Sequence, residues 1–570
     1  MLLKDKKILI SSALPYVNGL PHLGHIIGCL LPADVFARFM RLRGFDVLYV
    51  SGVDFHGSPA ELGAKKQNMN VEDYCNKYAK QHKEIYDSFE LSFDCFSSTH
   101  SEENKFFVYE AFDNLEKNGF IEIKTIKQIY SKSDNMFLAD RFVGGTCPYC
   151  GYEKARGDQC ENCTKLLDPS ILINPYSEVS GSKDLEFKET KHIFLKMQNL
   201  QPELEKWLNK VSKNWDKQTA GIAKKWINEG LKERSITRDL KWGFPINRSG
   251  LDNKVFYVWF DAPYGYLAIT KEKKPELFNN FWDSKNSDNV IYYQFMGKDS
   301  VPFHSIFFPG VLIGSGDKYK KVDVIKGLSY LNYEGGKFSK SSGRGVFAKD
   351  ALNELPADYW RYWLLANAPE SDDTNFSFDK FTNDINKDLN DILGNFILRV
   401  IKFYDKKFGN IILPVKTELK RSVYSEYKYV IDKISNLILS FKEKMENLLF
   451  RKAMENIREM WVIGNEFIDK ASPWLLIKTD PEKTKIILIL AMNLINIYGK
   501  LIEPICPVFS KKILSTLSLK PDKKWINFDN LQSEFNKIEE NTVVQIPETM
   551  FEKITEDQKE IWKNKFTGNK

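Results

Sequence analysis

At 570 residues the chain is too long for one hydrophobic core, and its 43% hydrophobic and 14% aromatic content supports roughly two to four globular domains rather than disorder. Lys and Arg number 82 against 76 Asp and Glu, a formal charge of +6 that permits nucleic-acid binding without requiring it. No apolar run reads as a membrane span of about 20 residues, and the basic start MLLKDKKILI leads straight into a strand, so a soluble, cytoplasmic protein is expected.

Ile8 to Leu14 reads as a buried strand entering a turn with Pro15, Asn18, Gly19 and Pro21, after which come His22, Gly24 and His25. Histidines three apart at a helix start share one face beside the free N–H groups that attract phosphate. Gly24 leaves room for a nucleotide against the backbone. A plain polar turn between strand and helix would read the same way. The next segment, IIGCLLPADVFARFMRLRG, is an amphipathic helix closed by Gly44, with Pro32 unexplained inside it. FDVLYVSGVD is a second strand ending on Asp54, either a helix cap or a carboxylate for a substrate amine. Strand, helix, strand begins a parallel, doubly wound sheet, whose ligands lie at the carboxyl ends of its strands.

Residues 71–120 read as helical. In TCPYCGYEKARGDQCENC, Cys147 and Cys150 are followed by Cys160 and Cys163. Two such pairs match a four-thiolate, tetrahedral zinc site; with no ligand position left open for water, the metal would be structural. The other cysteines, Cys29, Cys75, Cys95 and Cys506, are scattered and read mostly as small buried side chains. Further on, VFYVWFDAPYGYLA reads as a strand carrying Trp259 and delivering Asp261, Ala262, Pro263 and Tyr266 to its end. Another strand ends on Gly297, Lys298 and Asp299, before a helix bearing His304. These aromatics could equally be core.

In YLNYEGGKFSKSSGRGVF, Lys337, Lys340 and Arg344 stand among glycines and serines, which suits a mobile clamp over a polyphosphate or a merely solvated loop. Beyond Leu352 the strand signals fade, and long i, i+3, i+4 patterns from about 384 to 515 predict antiparallel helices. Asn395 and Arg399 lie four apart on one helical face, and a further helix starts after Ser472-Pro473-Trp474.

HLGH at 22–25 together with KFSKS at 337–341 closely resembles the paired signatures of class I aminoacyl-tRNA synthetases. SSALPYVNGLPHLGH, GVDFHG, YVWFDAPYGY, GKDSVPFHS and SPW are similar to the methionyl-tRNA synthetase family in particular, and the resemblance runs from about residue 7 to at least 520. It implies an α/β fold: a doubly wound, Rossmann-like parallel-sheet catalytic domain with a zinc-binding insertion, followed by an α-helical bundle. The segments would be 1–118 and 231–350 for the two catalytic halves, 119–230 for the insertion, 351–384 for a stem-contact linker, 385–535 for the anticodon-binding bundle and 536–570 for a tail folding back.

The resemblance further implies activation of methionine by ATP, release of pyrophosphate, and transfer of methionine to initiator and elongator methionine tRNA. His22, His25, Lys337 and Lys340 would be catalytic; Gly24, Gly297, Asp299 and Lys340 would bind ATP, with Mg²⁺ accompanying it. Leu14, Tyr16, Asp54, Trp259, Ala262, Pro263, Tyr266 and His304 would bind methionine, with Asp54 on the ammonium. Ser300 stands where the family often has an aliphatic residue. Asn395, Arg399 and Trp474 would read the anticodon. The segment between the two signatures is too short for a large hydrolytic editing domain, and one methyl group discriminates only roughly 10–200-fold, so misactivated homocysteine is expected to cyclise in the same site. A monomer without membrane attachment is expected.

Overall fold

The computed structural model describes residues 6–157, 160, 162–163, 165, 167–338, 343–519 and 525–568. They form two compact units, Met1–Leu20, Asp46–Ile85 and Phe93–Leu328 in the first, and Pro21–Phe45, Tyr86–Ser92 and Ser329–Lys570 in the second.

The first unit is built on five parallel strands in the spatial order Val324–Leu328, Val290–Gly297, Lys7–Ser12, Val47–Val53, Cys95–Ser98. The order reverses at Lys7–Ser12, as in a doubly wound sheet, where ligands sit at the carboxyl ends. Ile8–Ile10, Leu48–Val50 and Ile291–Met296 are buried because both faces of the sheet are covered, which explains why these runs are apolar apart from Gln294. The strand Cys95–Ser98 interrupts the region read as helical. Four residues at a sheet edge, two of them serine, carry too little alternation to be recognised.

An eleven-pair antiparallel ribbon joins Ile121–Ser131 to Leu185–Leu195 and carries the insertion, with its small sheet of Val143–Thr146, Ala155–Arg156 and Ile173–Ser177. The segment read as a strand around Trp259 differs from expectation. Only Val255–Phe256 is strand; Val258–Asp261 and Gly265–Lys273 are helical, joined by the turn Ala262–Tyr264. Apart from the part-buried Trp259, its β-branched and aromatic residues are buried, so tertiary packing overrides strand propensity.

In the second unit the histidine turn opens a helix running from Leu23–His25 through a wider π turn, Ile26–Leu30, into Leu31–Leu42. Pro32 thus falls in the first turn after the π segment, where its missing N–H is tolerated. Farther on, Asn395–Phe408, Lys428–Glu446, Phe450–Ala471 and Pro481–Ile502 form the helical bundle. Gly464 lets Tyr498 approach: a Cβ there would lie 2.6 Å from the tyrosine hydroxyl, which donates to Met460 O at 2.6 Å.

Among the described residues two helices, Leu23–Leu42 and Pro481–Ile502, are long and apolar enough to cross a membrane, contrary to the sequence reading. Their apolar windows are 78% and 100% buried inside the protein, as core helices are. Arg361 ties the unit together from a fully buried position. It pairs with Asp34 at 2.6 Å and donates to Ile505 O at 2.6 Å and Phe89 O at 2.9 Å. The tail ends in the helix Glu556–Lys565, whose Trp562 donates to Glu354 at 2.6 Å; Gly345 N–H then donates to Phe566 O at 3.2 Å.

Candidate active site

In the second unit His22 caps its own helix. Its Nδ1 accepts from Gly24 N–H at 3.1 Å, and its backbone N–H donates to His25 Nδ1 at 3.2 Å. This reciprocal capping fixes both tautomers: with each Nδ1 accepting, each neutral ring carries its proton on Nε2. Two imidazole donors therefore flank a helix start, an arrangement suited to phosphate oxygens. Gly24 has a tighter role than room for a nucleotide, since a Cβ would stand 2.8 Å from His22 Cε1. Phe338, between Lys337 and Lys340 in sequence, stacks on His22 with centroids 4.6 Å apart and planes 11° from parallel. The lysine-rich segment thus starts against the histidine turn. Lys337 is exposed, and Lys340 lies outside the described residues.

In the first unit the chain past Ser12 is knitted to the chain past Val53. Asp54 N–H donates to Pro15 O at 2.9 Å, and Val17 N–H to Asp54 O at 3.2 Å. Tyr16 and Asp54 are thereby brought side by side. The Asp54 side chain is 4% exposed and accepts from His56 N–H at 3.1 Å and the Thr99 hydroxyl at 3.2 Å. Burial, then the Asp261 carboxylate, push its carboxyl up to about 8. Leu14 lies against Gly265, where a Cβ would be 3.0 Å from the leucine methyl.

Trp259 stacks on Phe303 at 3.7 Å and meets His304 edge-on at 6.1 Å. His304 Nδ1 lies 3.0 Å from Ser300 O and Nε2 3.0 Å from the Tyr266 hydroxyl. The carbonyl requires an N–H at Nδ1, so Tyr266 donates to Nε2. Burial lowers the His304 imidazole to about 4, and the ring is neutral. Ser300 thus serves through its backbone, which any residue supplies. Ala262 and Pro263 are buried in the same helical turn.

Gly297 and Asp299 follow the strand Val290–Gly297. A Cβ on Gly297 would meet Asp299 Oδ1 at 2.6 Å. Burial raises the Asp299 carboxyl, opposed by Arg141 and Lys298.

Sequence reasoning assigned nothing to Arg238, although it shares a small cleft with Tyr16, Gly57 and Trp259. Its guanidinium pairs with Asp140 at 2.9 Å and lies 3.7 Å from the centre of the Tyr257 ring. It also gave no role to His56 and Phe338, which stand inside GVDFHG and KFSKS, or to His100. Each has a partner distant in sequence, so spacing carries no signal for it.

The Sγ atoms of Cys147, Cys150, Cys160 and Cys163 lie within 4.8 Å of one another and form no disulfide. Cys147–Cys163 and Cys150–Cys160 sulfur separations are 3.9 and 3.6 Å. Tetrahedral zinc with bonds of about 2.3 Å places sulfurs about 3.8 Å apart, so the donor set fits zinc in type, number and spacing. The Cys163 N–H directed at Cys160 Sγ, at 3.5 Å, supports a thiolate there.

In the helical bundle Arg399, Phe403, Pro473 and Trp474 line a cavity of about 160 Å³. Arg399 pairs with Asp469 at 2.5 Å, and its guanidinium lies 5.2 Å from the Trp474 ring centre. Asn395 is exposed one turn earlier on the same helix, and Trp474 is 38% exposed.

The family model described as "tRNA synthetases class I (M)" matches residues 8–401, and "Anticodon binding domain of methionyl tRNA ligase" matches residues 421–570. A Methionine--tRNA ligase of Streptomyces avermitilis is 46% identical, covering 98% of this chain and 99% of the relative. This chain belongs to the methionine–tRNA ligases. Another ligase of the family, from Cereibacter sphaeroides, is 43% identical over 99% of both chains. A solved Mycobacterium tuberculosis methionyl-tRNA synthetase in complex with methionyl-adenylate aligns with a TM-score of 0.76 at 21% identity, covering 96% of this ligase and 99% of that chain. At that identity the likeness concerns the fold.

Proposed function

We propose that the chain carries out both steps of methionine charging with the following division of work. The methionine carboxylate attacks the α-phosphorus of ATP, the bond to the β-phosphate breaks, and pyrophosphate leaves. A terminal ribose hydroxyl of methionine tRNA then attacks the adenylate carbonyl, and AMP leaves. Neither step needs a covalent enzyme nucleophile, so catalysis is a matter of positioning and charge.

The observation that carries this reading is the reciprocal capping of His22 and His25, which presents two Nε2–H donors at a helix start. These donors hold phosphate oxygens, and Lys337 and Lys340 add ammoniums from the loop. Mg²⁺ accompanies ATP and offsets triphosphate charge. Gly24 keeps the His22 ring in place, and Gly297 and Asp299 meet the adenosine ribose. Asp54 takes the methionine ammonium. Leu14, Tyr16, Trp259, Ala262, Pro263, Tyr266 and His304 enclose the side chain, where sulfur–ring contacts contribute about 0.3–1.5 kcal/mol. Arg238 lines the same cleft.

Zinc held by Cys147, Cys150, Cys160 and Cys163 is structural. Segment 385–535 reads the anticodon through Asn395, Arg399 and Trp474, a stacked base contributing about 1–3 kcal/mol. Segments 1–118, 119–230, 231–350, 351–384 and 536–570 supply the first catalytic half, insertion, second catalytic half, stem contact and returning tail. The enzyme works as a cytoplasmic monomer on initiator and elongator tRNA alike.

ATP–pyrophosphate exchange across the twenty amino acids, without tRNA, tests this. Exchange with methionine alone is expected. Exchange with a different amino acid would overturn the pocket assignment, and no exchange by folded protein would overturn the catalytic one.

A further inference from the structure

The proposed chemistry leaves a run of buried ionisable groups beside Asp54 without a task. Asp261 is fully buried, with Oδ2 2.7 Å from His56 Nδ1, while Oδ1 makes no hydrogen bond among the described residues. His56, 1% exposed, extends the chain through Nε2 to His100 Nδ1 at 2.8 Å. His100 is only part-buried and stacks on Trp242 with centroids 4.7 Å apart.

Two buried carboxyls that feel each other do not both ionise before a cation arrives. Asp54 accepts two hydrogen bonds, from His56 N–H and Thr99, which favour its charged form. Asp261 has the imidazole, so its state follows the His56 tautomer. Burial lowers His56 to about 4 and pushes Asp261 well above the carboxylate range, while His100 is lowered by burial and by His56. The remaining charges near His100 are Glu72, Glu102 and Lys105. A neutral His56 has one donor and one acceptor nitrogen. With Nδ1–H, it donates to an ionised Asp261. With Nε2–H, it donates to His100 Nδ1, and its bare Nδ1 accepts the proton-bearing oxygen of a neutral Asp261.

We propose that His100 is a positioning residue for methionine binding: it accepts from His56 Nε2–H, holds the tautomer that keeps Asp261 protonated, and leaves Asp54 as the carboxyl that ionises for the substrate ammonium. The proposal rests on Asp54 being the ammonium's partner. No net proton is consumed by the chain itself; the proton that leaves on binding is that of Asp54.

Methionine-dependent exchange measured between pH 6 and 9 tests this with four variants. His100→Phe keeps the stack on Trp242 but cannot accept; its methionine KM is expected to rise about tenfold at pH 7, the KM–pH profile moving up by about one unit, with kcat within about twofold. His100→Asn, whose amide oxygen stands near the lost Nδ1, restores KM. Asp261→Asn, a neutral mimic, leaves KM within about threefold, and combining it with His100→Phe rescues the latter. Equal KM values for His100→Phe and His100→Asn, or a KM for Asp261→Asn as poor as that of Asp54→Ala, would overturn the proposal. An unaffected KM in Asp54→Ala would overturn the ammonium assignment itself. Independently of any variant, ¹⁵N spectra of histidine-labelled protein should show His56 protonated on Nε2; protonation on Nδ1 overturns it.

Discussion

Gly24→Ala has a defined steric consequence. The new methyl would meet the His22 ring at 2.8–2.9 Å, turning it off Gly24 N–H and undoing the cap. Losing such a cap costs about 1 kcal/mol, visible in chemical denaturation. The larger effect is catalytic: exchange kcat is expected to fall at least about a hundredfold, with methionine KM nearly unchanged because Asp54 and Trp259 are untouched. The raised Asp54 carboxyl predicts a pH effect as well. Burial alone, the larger cause, holds Asp54 above the ordinary carboxylate range even with Asp261 neutral, and about 8 is reached with Asp261 charged. The free site therefore carries a proton on Asp54 at mildly acidic pH, which an arriving ammonium must displace. Methionine KM should therefore fall as pH rises towards 8 and level off above it, and calorimetry near pH 7 in buffers of different ionisation enthalpy should register proton release. The same shift lowers folding stability as pH rises from about 4 to 8, because the unfolded carboxyl ionises first. Single residues were the most legible when their chemistry is local. His22 and His25 were readable as a pair on one face because they stand three apart at a helix start, although the spacing alone left a plain polar turn open. His56 and Asp261 were not, being 205 residues apart in sequence and joined by packing.

At the scale of elements, the cysteine knuckles and the Arg399–Trp474 cavity make opposite predictions. Purified protein should contain about one zinc per chain, and stripping it should lower the thermal midpoint and loosen the insertion. Elemental analysis beside a thermal melt decides this. Trp474→Ala should cripple tRNA charging yet leave ATP–pyrophosphate exchange nearly normal, since Trp474 stands 38% exposed at a cavity rim rather than inside a core. Equal loss in both assays would make it a structural residue. The helices from Asn395 to Ala471 were legible because each keeps an apolar stripe at helical period, whereas Pro481–Ile502 shows by its length and unbroken burial that it is the central helix of the bundle. The turn-rich segment from Val255 to Tyr266 was misread as strand because, buried on every side, it has no polar face to reveal its period.

Across the whole molecule, Arg361 is where distant stretches of the second unit converge. Asp34, Phe89 and Ile505 come from three separate parts of the sequence and meet on one guanidinium. Arg361→Leu leaves the buried Asp34 with Arg38 and Ser92 as its partners and takes the guanidinium donor from the Ile505 and Phe89 carbonyls, and should destabilise the fold by about 3 kcal/mol in urea titrations, whereas exposed substitutions on the same unit should cost little. The parallel sheet and the bundle were legible from periodicity, but nothing in the sequence places the histidine-bearing helix with the bundle unit, because that grouping is made by long-range packing. The tail closes the chain on its own lysine-rich loop. Phe566 O takes a main-chain N–H from Gly345, and a side chain at Gly568 would strike Arg344 Cα at 2.6 Å. The contact is thus made by backbone, blind to side-chain identity but sensitive to bulk. Gly568→Ala would therefore press a methyl onto the Arg344 backbone, so a substitution far along the sequence from Lys337 is expected to lower ATP–pyrophosphate exchange through the loop, which the exchange rate of that variant checks.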